Sequence, residues 1–182
     1  NEDFRSDPDL PDDCKITDND YSNSGYTRGH QCPSADRTSS VTLNKETFLM
    51  SNMLPQTAAL NNNVWASFET YCNDLAENSG QELYIISGGV GSNGRIAGGK
   101  VNAPASCWKV AVILPKGTND LSRINNNTRV ISILMPNTTT VSGTYTSYYT
   151  TVDNIESLTG LDLLSNLPDS IENFLEASTS NR

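Results

Sequence analysis

Basic residues are scarce in this sequence, and so are histidines and long apolar runs. The 182 residues include only 12 lysines and arginines and one histidine, and the net charge is −9. This acidic balance argues against nucleic-acid binding through a broad basic surface, although it leaves room for a local cationic cleft. No apolar run approaches the ~20 residues that cross a bilayer, so we predict no membrane partner.

The cysteines lack the close spacing that metal-binding pairs usually show. Because no CxxC occurs, a zinc site is not expected. Two disulfides in an exported protein are the favoured interpretation, and free or mixed thiols are the alternative. The first residues are acidic and have no apolar core, so they do not form a signal peptide. We therefore expect a secreted or periplasmic protein whose signal has been removed. The four cysteines are Cys14, Cys32, Cys72 and Cys107.

The hydrophobic pattern predicts a single mixed α and β domain over residues 1–182, without repeats or linkers. Apolar, β-branched runs that stop at prolines predict strands, and apolar residues three and four apart predict helices. The glycine-rich stretch GGVGSNG predicts a hairpin connection, because it lacks the residue order of a phosphate-binding loop. The predicted strands are 47–54, 82–89, 106–115 and 129–136, and the predicted helices are 61–78, 152–160 and one that begins at 168–170.

The stretch GYTRGHQCPSADRT holds the only histidine, His30, between Arg28 and Arg37. A lone histidine is more often structural than catalytic, but this one lies among small and polar residues instead of on an apolar face. Imidazole is the side chain best suited to proton transfer near neutral pH. Flanking guanidiniums favour the neutral ring and also form paired hydrogen bonds to phosphate. The stretch therefore predicts a general base beside a phosphate site.

Phosphodiester cleavage also calls for a hard cation, which takes oxygen ligands. Asn52, Asn61 and Glu69 supply such oxygens downstream of the histidine. On an α-helix that begins near Asn61, Asn61 and Glu69 would lie within about 80° of one another, at ~100° per residue. One could bind a metal directly while the other holds a water on it. The alternative for the asparagine cluster is a helix N-cap.

The motifs of this sequence follow one another in the order TRGHQCPSADRT, then FLMSNMLPQ, then an asparagine and a glutamate on one helix. In this order of motifs the sequence resembles the DNA/RNA non-specific endonuclease family. These are ββα-metal nucleases that include secreted sugar-non-specific enzymes and mitochondrial endonuclease G. The resemblance spans Phe4 to Glu69 and continues more loosely toward the C-terminus. It implies an α+β fold, with a central antiparallel sheet flanked by helices and a ββα-metal (His-Me finger) active-site motif.

The resemblance also implies a role for each matching residue. His30 would be the general base that activates water, and Asn61 would be the direct protein ligand of Mg²⁺, with Mn²⁺ or Ca²⁺ in its place. Glu69 would hold the waters of the metal. Arg28 and Arg5 would contact phosphate, and Asn52 would brace the histidine. The implied reaction is sequence-non-specific hydrolysis of DNA and RNA that leaves 5′-phosphates.

Three departures separate this sequence from the family pattern. Thr27 stands where the signature has aspartate, and Asn73 stands where secreted bacterial relatives carry an arginine. Loss of such an arginine would lower the rate by ~10²–10³-fold, which is the effect of removing one hydrogen-bond donor that stabilises charge in the transition state. The strands that precede FRSDP in the family are expected to be missing. The residues that could compensate for the arginine are Arg37, Arg95 and Lys100.

These residues are compatible with two hypotheses of function. The first is an exported, metal-dependent endonuclease acting on DNA and RNA, as a monomer or a homodimer. The alternative is a catalytically weakened nuclease fold that only binds nucleic acid, which the changes at Thr27 and Asn73 favour.

Overall fold

The structure, a computed structural model, describes residues 4–179, so residues 1–3 and 180–182 of the predicted domain lie outside it. Short 3₁₀ turns connect its longer elements. The strands are β1 (Thr27–His30), β2 (Met53–Gln56), β3 (Gln81–Val90), β4 (Arg95–Ile96), β5 (Val101–Asn102), β6 (Ser106–Pro115), β7 (Arg129–Pro136) and β8 (Tyr149–Thr150). The α-helices are α1 (Val41–Glu46), α2 (Ala66–Asn78), α3 (Asp120–Arg123), α4 (Val152–Thr159) and α5 (Asp169–Glu176).

The central sheet is antiparallel, with strand order β3-β6-β7-β8. Its longest pairing joins β3 to β6 over ten residues, from Gln81 opposite Pro115 to Val90 opposite Ser106. The predicted strands 82–89, 106–115 and 129–136 are confirmed as β3, β6 and β7. The glycine-rich stretch leads into the small β4–β5 hairpin, as predicted.

Apart from Lys109 and Ser106 at its start, strand β6 is apolar on both sides because both faces of the sheet are covered. Cys107, Ala111 and Ile113 pack in one core, which contains Trp65 and Phe68 from the segment that leads into and forms α2. Alternate residues of β6 pack in a second core with residues of α4 and α5; they are Trp108, Val110 and Val112. Since successive strand residues point to opposite faces, α2 lies on one side of the sheet and α4 and α5 lie on the other. The predicted arrangement of a sheet flanked by helices is confirmed.

A second, two-stranded sheet stands apart from the central one. Strand β1 pairs antiparallel with β2, with Thr27 opposite Gln56 and His30 opposite Met53. A helical segment follows β2 at once, formed by a π-helical turn at Leu60–Trp65 that continues into α2. Two paired strands, separated in sequence by α1, and the helical segment after them thus form the part of the chain where the site residues were predicted.

Helix ends follow the local sequence. The Thr151 side chain accepts a hydrogen bond from the Asn154 amide at the start of α4. Gly160 ends that helix in the left-handed conformation, at φ 72°, which a residue without a Cβ adopts at little cost. The predicted stop of the helix at Gly160 is therefore confirmed, as is the helix after Pro168.

Two sequence predictions are wrong in detail. Residues 47–54 do not form one strand: Met50–Asn52 is a 3₁₀ turn, and the strand begins at Met53 and runs through Pro55. A proline is tolerated there because β2 has a partner on one side only. The disulfide interpretation is also wrong, since all four cysteines are free thiols, two of them buried and one exposed.

None of the helices within residues 4–179 combines the length and apolarity required to cross a bilayer.

Candidate active site

The β1–β2 pairing brings His30 and Asn52 together. His30 is the last residue of β1, and the amide of the next residue, Gln31, donates to the Asn52 carbonyl at 2.9 Å. Gly29 lies directly against the buried Gln56 side chain, so closely that a Cβ would lie 2.1 Å from its Oε1. Only glycine therefore fits in this strand immediately before the histidine.

The side chain of Asn52 fastens the chain that follows His30. Its Oδ1 accepts from the Cys32 amide at 3.0 Å, and its Nδ2 donates to the carbonyls of Cys32 and Thr47 at 2.8 Å each. One amide side chain thus ties together two loops, 31–32 and 47. This geometry suits the bracing role that the family resemblance implies for Asn52.

The imidazole of His30 lies among aromatic rings. Its centroid is 5.3 Å from that of Phe48, edge to face, and 5.8 Å from that of Phe4. The His30 carbonyl accepts a hydrogen bond from Trp65 Nε1 at 3.3 Å, which joins β1 to the helical segment. Backbone and ring are therefore held by separate contacts.

Arg28 lies two residues before His30 and shares its neighbour Phe4. The Arg28 guanidinium stacks over the Phe4 ring at 4.5 Å and pairs with Asp18, with Nη1 to Oδ1 at 2.9 Å. About a third of the Arg28 side chain and half of that of Asp18 are exposed. Such a partly exposed ion pair contributes only ~0–1 kcal/mol, so an anion can displace Asp18.

Arg5 is held at the margin of this group by its backbone. Its amide donates to the Phe48 carbonyl at 3.2 Å and its carbonyl accepts from the Met50 amide at 2.9 Å. The guanidinium donates to the Lys45 carbonyl at 2.7 Å and is exposed. Arg5 therefore lies beside Phe48, one of the two rings that contact the histidine.

Asn61 is oriented by Thr27, the residue that stands where the family signature has aspartate. Its Nδ2 donates to Thr27 Oγ1 at 3.0 Å, and that hydroxyl donates in turn to the Gln56 carbonyl at 2.9 Å. Among the described residues nothing donates a hydrogen bond to Asn61 Oδ1. An amide oxygen fixed in orientation and left open in this way fits a hard cation.

The π-helical turn changes the relation between Asn61 and Glu69. The sequence predicted a regular helix and an offset of about 80°. A π turn accommodates one extra residue, so the eight-residue spacing acts as seven in an α-helix and the offset falls to about 20°. The prediction of a regular α-helix is therefore wrong at Leu60–Trp65, but the smaller offset still lies within the predicted limit of about 80°.

Glu69 is paired with Lys109, a lysine in the middle of β6. Lys109 Nζ lies 2.7 Å from Glu69 Oε1, and the lysine side chain is only 2% exposed. The same ammonium reaches the Gln31 carbonyl at 3.3 Å and lies 4.5 Å from the Trp65 ring centroid. Burial raises the pKa of the Glu69 carboxyl, and the lysine charge opposes that rise.

The predicted residues are thus gathered around β1. Each of them lies in β1, bonds to β1 or to one of the two residues after it, bonds to the backbone of Phe48, or pairs with the lysine that contacts Gln31. The gathered set is His30, Arg28, Asn52, Asn61, Glu69 and Arg5.

Comparisons with known proteins identify the family of this chain. A sequence model described as DNA/RNA non-specific endonuclease matches residues 1–170. The chain belongs to the DNA/RNA non-specific endonuclease family.

Two nucleases are similar to this chain in sequence, and one solved structure is similar to it in fold. A nuclease of Nostoc sp. (strain PCC 7120) is 44% identical over 179 residues, which cover 98% of this chain and 65% of that protein. The mitochondrial nuclease EXOG of Xenopus laevis is 32% identical over 127 residues, covering 63% of this chain and 35% of the relative. The structure of an EndoG/EndoGI complex is similar in fold, with a TM-score of 0.77 at 21% identity, over 93% of this chain and 71% of that one.

Of the basic residues that could compensate for Asn73, Arg37 lies near it in the structure. Asn73 and Arg37 line the same cavity, of about 240 Å³. Arg37 also lines a neighbouring cavity with Gln31 and Asn52, directly after the histidine. Arg95, by contrast, donates to the Gly99 carbonyl in the β4–β5 hairpin.

Sequence reasoning missed Lys109 and the π-helical turn. The lysine had a signal, because it is the only charged residue in the ten-residue apolar run SCWKVAVILP. A lysine there must be paired when the strand is buried on both faces. The π turn had no comparable signal, since apolar spacing does not distinguish it from an α-helix.

Proposed function

We propose that this chain is a metal-dependent endonuclease that hydrolyses the backbones of DNA and RNA without sequence preference. The observation that carries the proposal is the convergence on β1 of His30, the open amide oxygen of Asn61 and the Glu69–Lys109 pair. Family membership supports the substrate class. Because the chain spans 65% of the Nostoc relative, the activity of the whole protein is part of this proposal.

In this proposal His30 is the general base. A neutral imidazole takes a proton from the water that attacks the phosphorus, and the phosphodiester bond to the 3′-oxygen breaks to leave a 5′-phosphate. The departing 3′-oxygen takes up a proton from a second water and becomes a hydroxyl. The aromatic contacts with Phe4 and Phe48 fix the plane of the ring. Asn52 and the Trp65 indole hold the backbone on which it sits.

The donor set fits a Mg²⁺-type ion, with Mn²⁺ or Ca²⁺ as substitutes. Asn61 would supply its amide oxygen directly, and Glu69 would act through water. Bound there, the ion would stabilise the negative charge on the leaving oxygen. Thr27 supports the fit, since its hydroxyl accepts from Asn61 Nδ2 and fixes the amide while Oδ1 has no donor among the described residues.

Arginine side chains would hold the phosphates. Among residues 4–179 the ionic partner of Arg28 is the partly exposed carboxylate of Asp18, and a phosphate that displaced it would gain paired hydrogen bonds. Arg5 would bind a neighbouring phosphate. Arg37, beside Asn73, would take the place of the arginine that secreted bacterial relatives carry. The net charge of −9 confines nucleic-acid contact to this group of cations.

Export remains part of the proposal, on the strength of the family resemblance. The free thiols give it no support, because disulfides were the feature that would have indicated an oxidising compartment. A monomer or a homodimer is compatible with the proposal.

The test is cleavage of supercoiled plasmid and of single-stranded RNA by the purified chain. We expect cleavage of both with Mg²⁺, none with EDTA, and a loss of at least ~10²-fold in the His30→Ala variant, as for loss of a general base. A matched control is Asp9→Ala, which removes an exposed charge outside the predicted site. Equal cleavage by wild type and His30→Ala would refute the proposal.

The second candidate is a weakened nuclease that binds nucleic acid without cleaving it. Asn73 is the observation that favours it, since the cation expected at that position is absent. In this case the chain would retard labelled DNA in a gel and leave it intact with Mg²⁺ or Mn²⁺. The same plasmid assay thus separates the two functions.

A further inference from the structure

Three carboxylates converge on the side of the sheet that faces away from α2. Asp153 and Glu156 lie on α4, and Glu176 is the last residue of α5. One carboxylate oxygen from each lies within 4.8 Å of the other two. Two packed helices thus direct three acidic groups at one point.

Glu176 is an unusual member of this group because it is buried. The residue is only 6% exposed, and its Oε1 is shielded from solvent without a hydrogen-bond donor among the described residues. A buried carboxylate without a partner is costly, by several kcal/mol for an ion that stays charged. The fold therefore gives one member of the cluster a buried carboxylate oxygen with open lone pairs.

The charges around Glu176 increase this cost. The groups that act on it most strongly are Glu156, Glu172, Asp153 and Asp162, all of them acidic. Together with burial, which is the largest cause, they raise the pKa of Glu176 to about 7. Within residues 4–179, no lysine or arginine forms an ion pair with any of the three clustered carboxylates. The point between them is a place of strongly negative potential.

Separations of up to 4.8 Å are compatible with ligands of one divalent cation. Ca²⁺ binds oxygens at 2.3–2.6 Å and tolerates irregular geometry completed by water. Mg²⁺ requires oxygens at about 2.1 Å in a regular octahedron and gives up its waters reluctantly. Glu156 is already oriented, since its Oε1 accepts from the Leu163 amide at 2.5 Å.

We propose that Asp153, Glu156 and Glu176 form a calcium site that fastens α5 to α4. The site is separate from the candidate active site, because it lies on helices that pack against the opposite face of the central sheet. It does not depend on the proposed nuclease function. Calcium bound there stabilises the fold by joining the end of the last helix to the first turns of α4.

Thermal unfolding tests the site, and the chain used is the Asn61→Leu variant, which lacks the amide ligand proposed for the catalytic metal. We expect millimolar Ca²⁺ to raise its Tm by about 5 °C over EDTA, the shift for a ligand far above its Kd in a domain of this size. Adding Glu176→Gln should abolish that rise. Glu172→Gln is the matched control: it removes the same charge from a neighbouring position of α5 outside the three ligands, and it should keep the rise.

A calorimetric titration with CaCl₂ gives a second readout that does not depend on unfolding. We expect one site in the Asn61→Leu chain and none after Asp153→Asn or Glu176→Gln. Absence of Ca²⁺ binding, or an equal Tm rise with and without Glu176, would overturn the calcium site. Loss of plasmid cleavage in Asn61→Leu bears only on the catalytic proposal.

Discussion

Lys109 carries a large share of the electrostatics of the candidate site. It is an ammonium in the middle of a strand whose neighbours are apolar, and it makes its ion pair with Glu69, 40 residues away in sequence. The same group contacts the carbonyl of the residue after His30. One buried charge therefore connects the helix that carries Glu69 with the strand that carries the histidine.

We predict that Lys109→Met destabilises the fold by about 3–5 kcal/mol, because it leaves the Glu69 carboxylate buried without its partner. Adding Glu69→Gln should recover part of that loss, since the pair is then removed together. Urea unfolding followed by tryptophan fluorescence gives the four free energies of the cycle. Losses that simply add would show that the two side chains do not interact.

At the scale of elements, the pairing of β1 with β2 depends on the close approach of Gly29 to Gln56. Gln56 is fully buried, and its side chain lies where a Cβ on residue 29 would be. The paired strands then set the position of His30 relative to the helical segment, through the indole of Trp65.

We predict that Gly29→Ala destabilises the fold by about 1–3 kcal/mol, the cost of adding a methyl group to a closely packed interior position. Shortening the opposing side chain should relieve the clash, so Gly29→Ala combined with Gln56→Ser should lose less than the two changes lose separately. Differential scanning calorimetry of the four proteins measures this. A full additive loss in the double variant would mean that Gln56 is not what excludes a side chain at residue 29.

Long, regular elements could be predicted from sequence because their causes are local. Strands β6 and β7 are dense in β-branched residues and end at prolines, and Gly160 marks the end of α4. The segment 47–54 was mistaken for a strand because an apolar run of that length has the same pattern whether it is extended or turned.

The sequence predicted which residues form the candidate site but not how they are arranged in space. The motif order named His30, Asn61 and Glu69, but their relation in space depends on the π turn and on contacts between distant segments. The pairs Lys109–Glu69 and Asn61–Thr27 join residues 40 and 34 positions apart. No local pattern determines which residues far apart in sequence meet, so such partners come only from the fold.

At the scale of the whole molecule, the central sheet separates two regions of different chemistry. The face toward α2 adjoins the proposed catalytic residues, and the face toward α4 and α5 adjoins the acidic cluster. Substitutions in the acidic cluster are therefore expected to leave the proposed catalytic residues in position, and the reverse.

The state of the four cysteines is also a property of the whole molecule. We predict four reactive thiols per chain in urea without reductant, because the structure holds no disulfide among residues 4–179. In the folded protein at pH 8, exposed Cys14 should react with a thiol reagent first. Cys72 and Cys107 should react only on unfolding, because they are buried and burial raises their pKa values to about 12 and about 11. Two thiols or none in urea would restore the disulfide interpretation.

Chemical rescue of the missing histidine ring tests the proposed mechanism most directly. Truncation in His30→Ala leaves a space between Phe4 and Phe48 that free imidazole can enter. With plasmid DNA and Mg²⁺, we predict that imidazole restores cleavage by His30→Ala in proportion to its concentration, and that it restores none in Asn61→Leu. If wild type cleaves and imidazole leaves His30→Ala inactive at every concentration, while the variant remains folded, His30 is not the base that activates water.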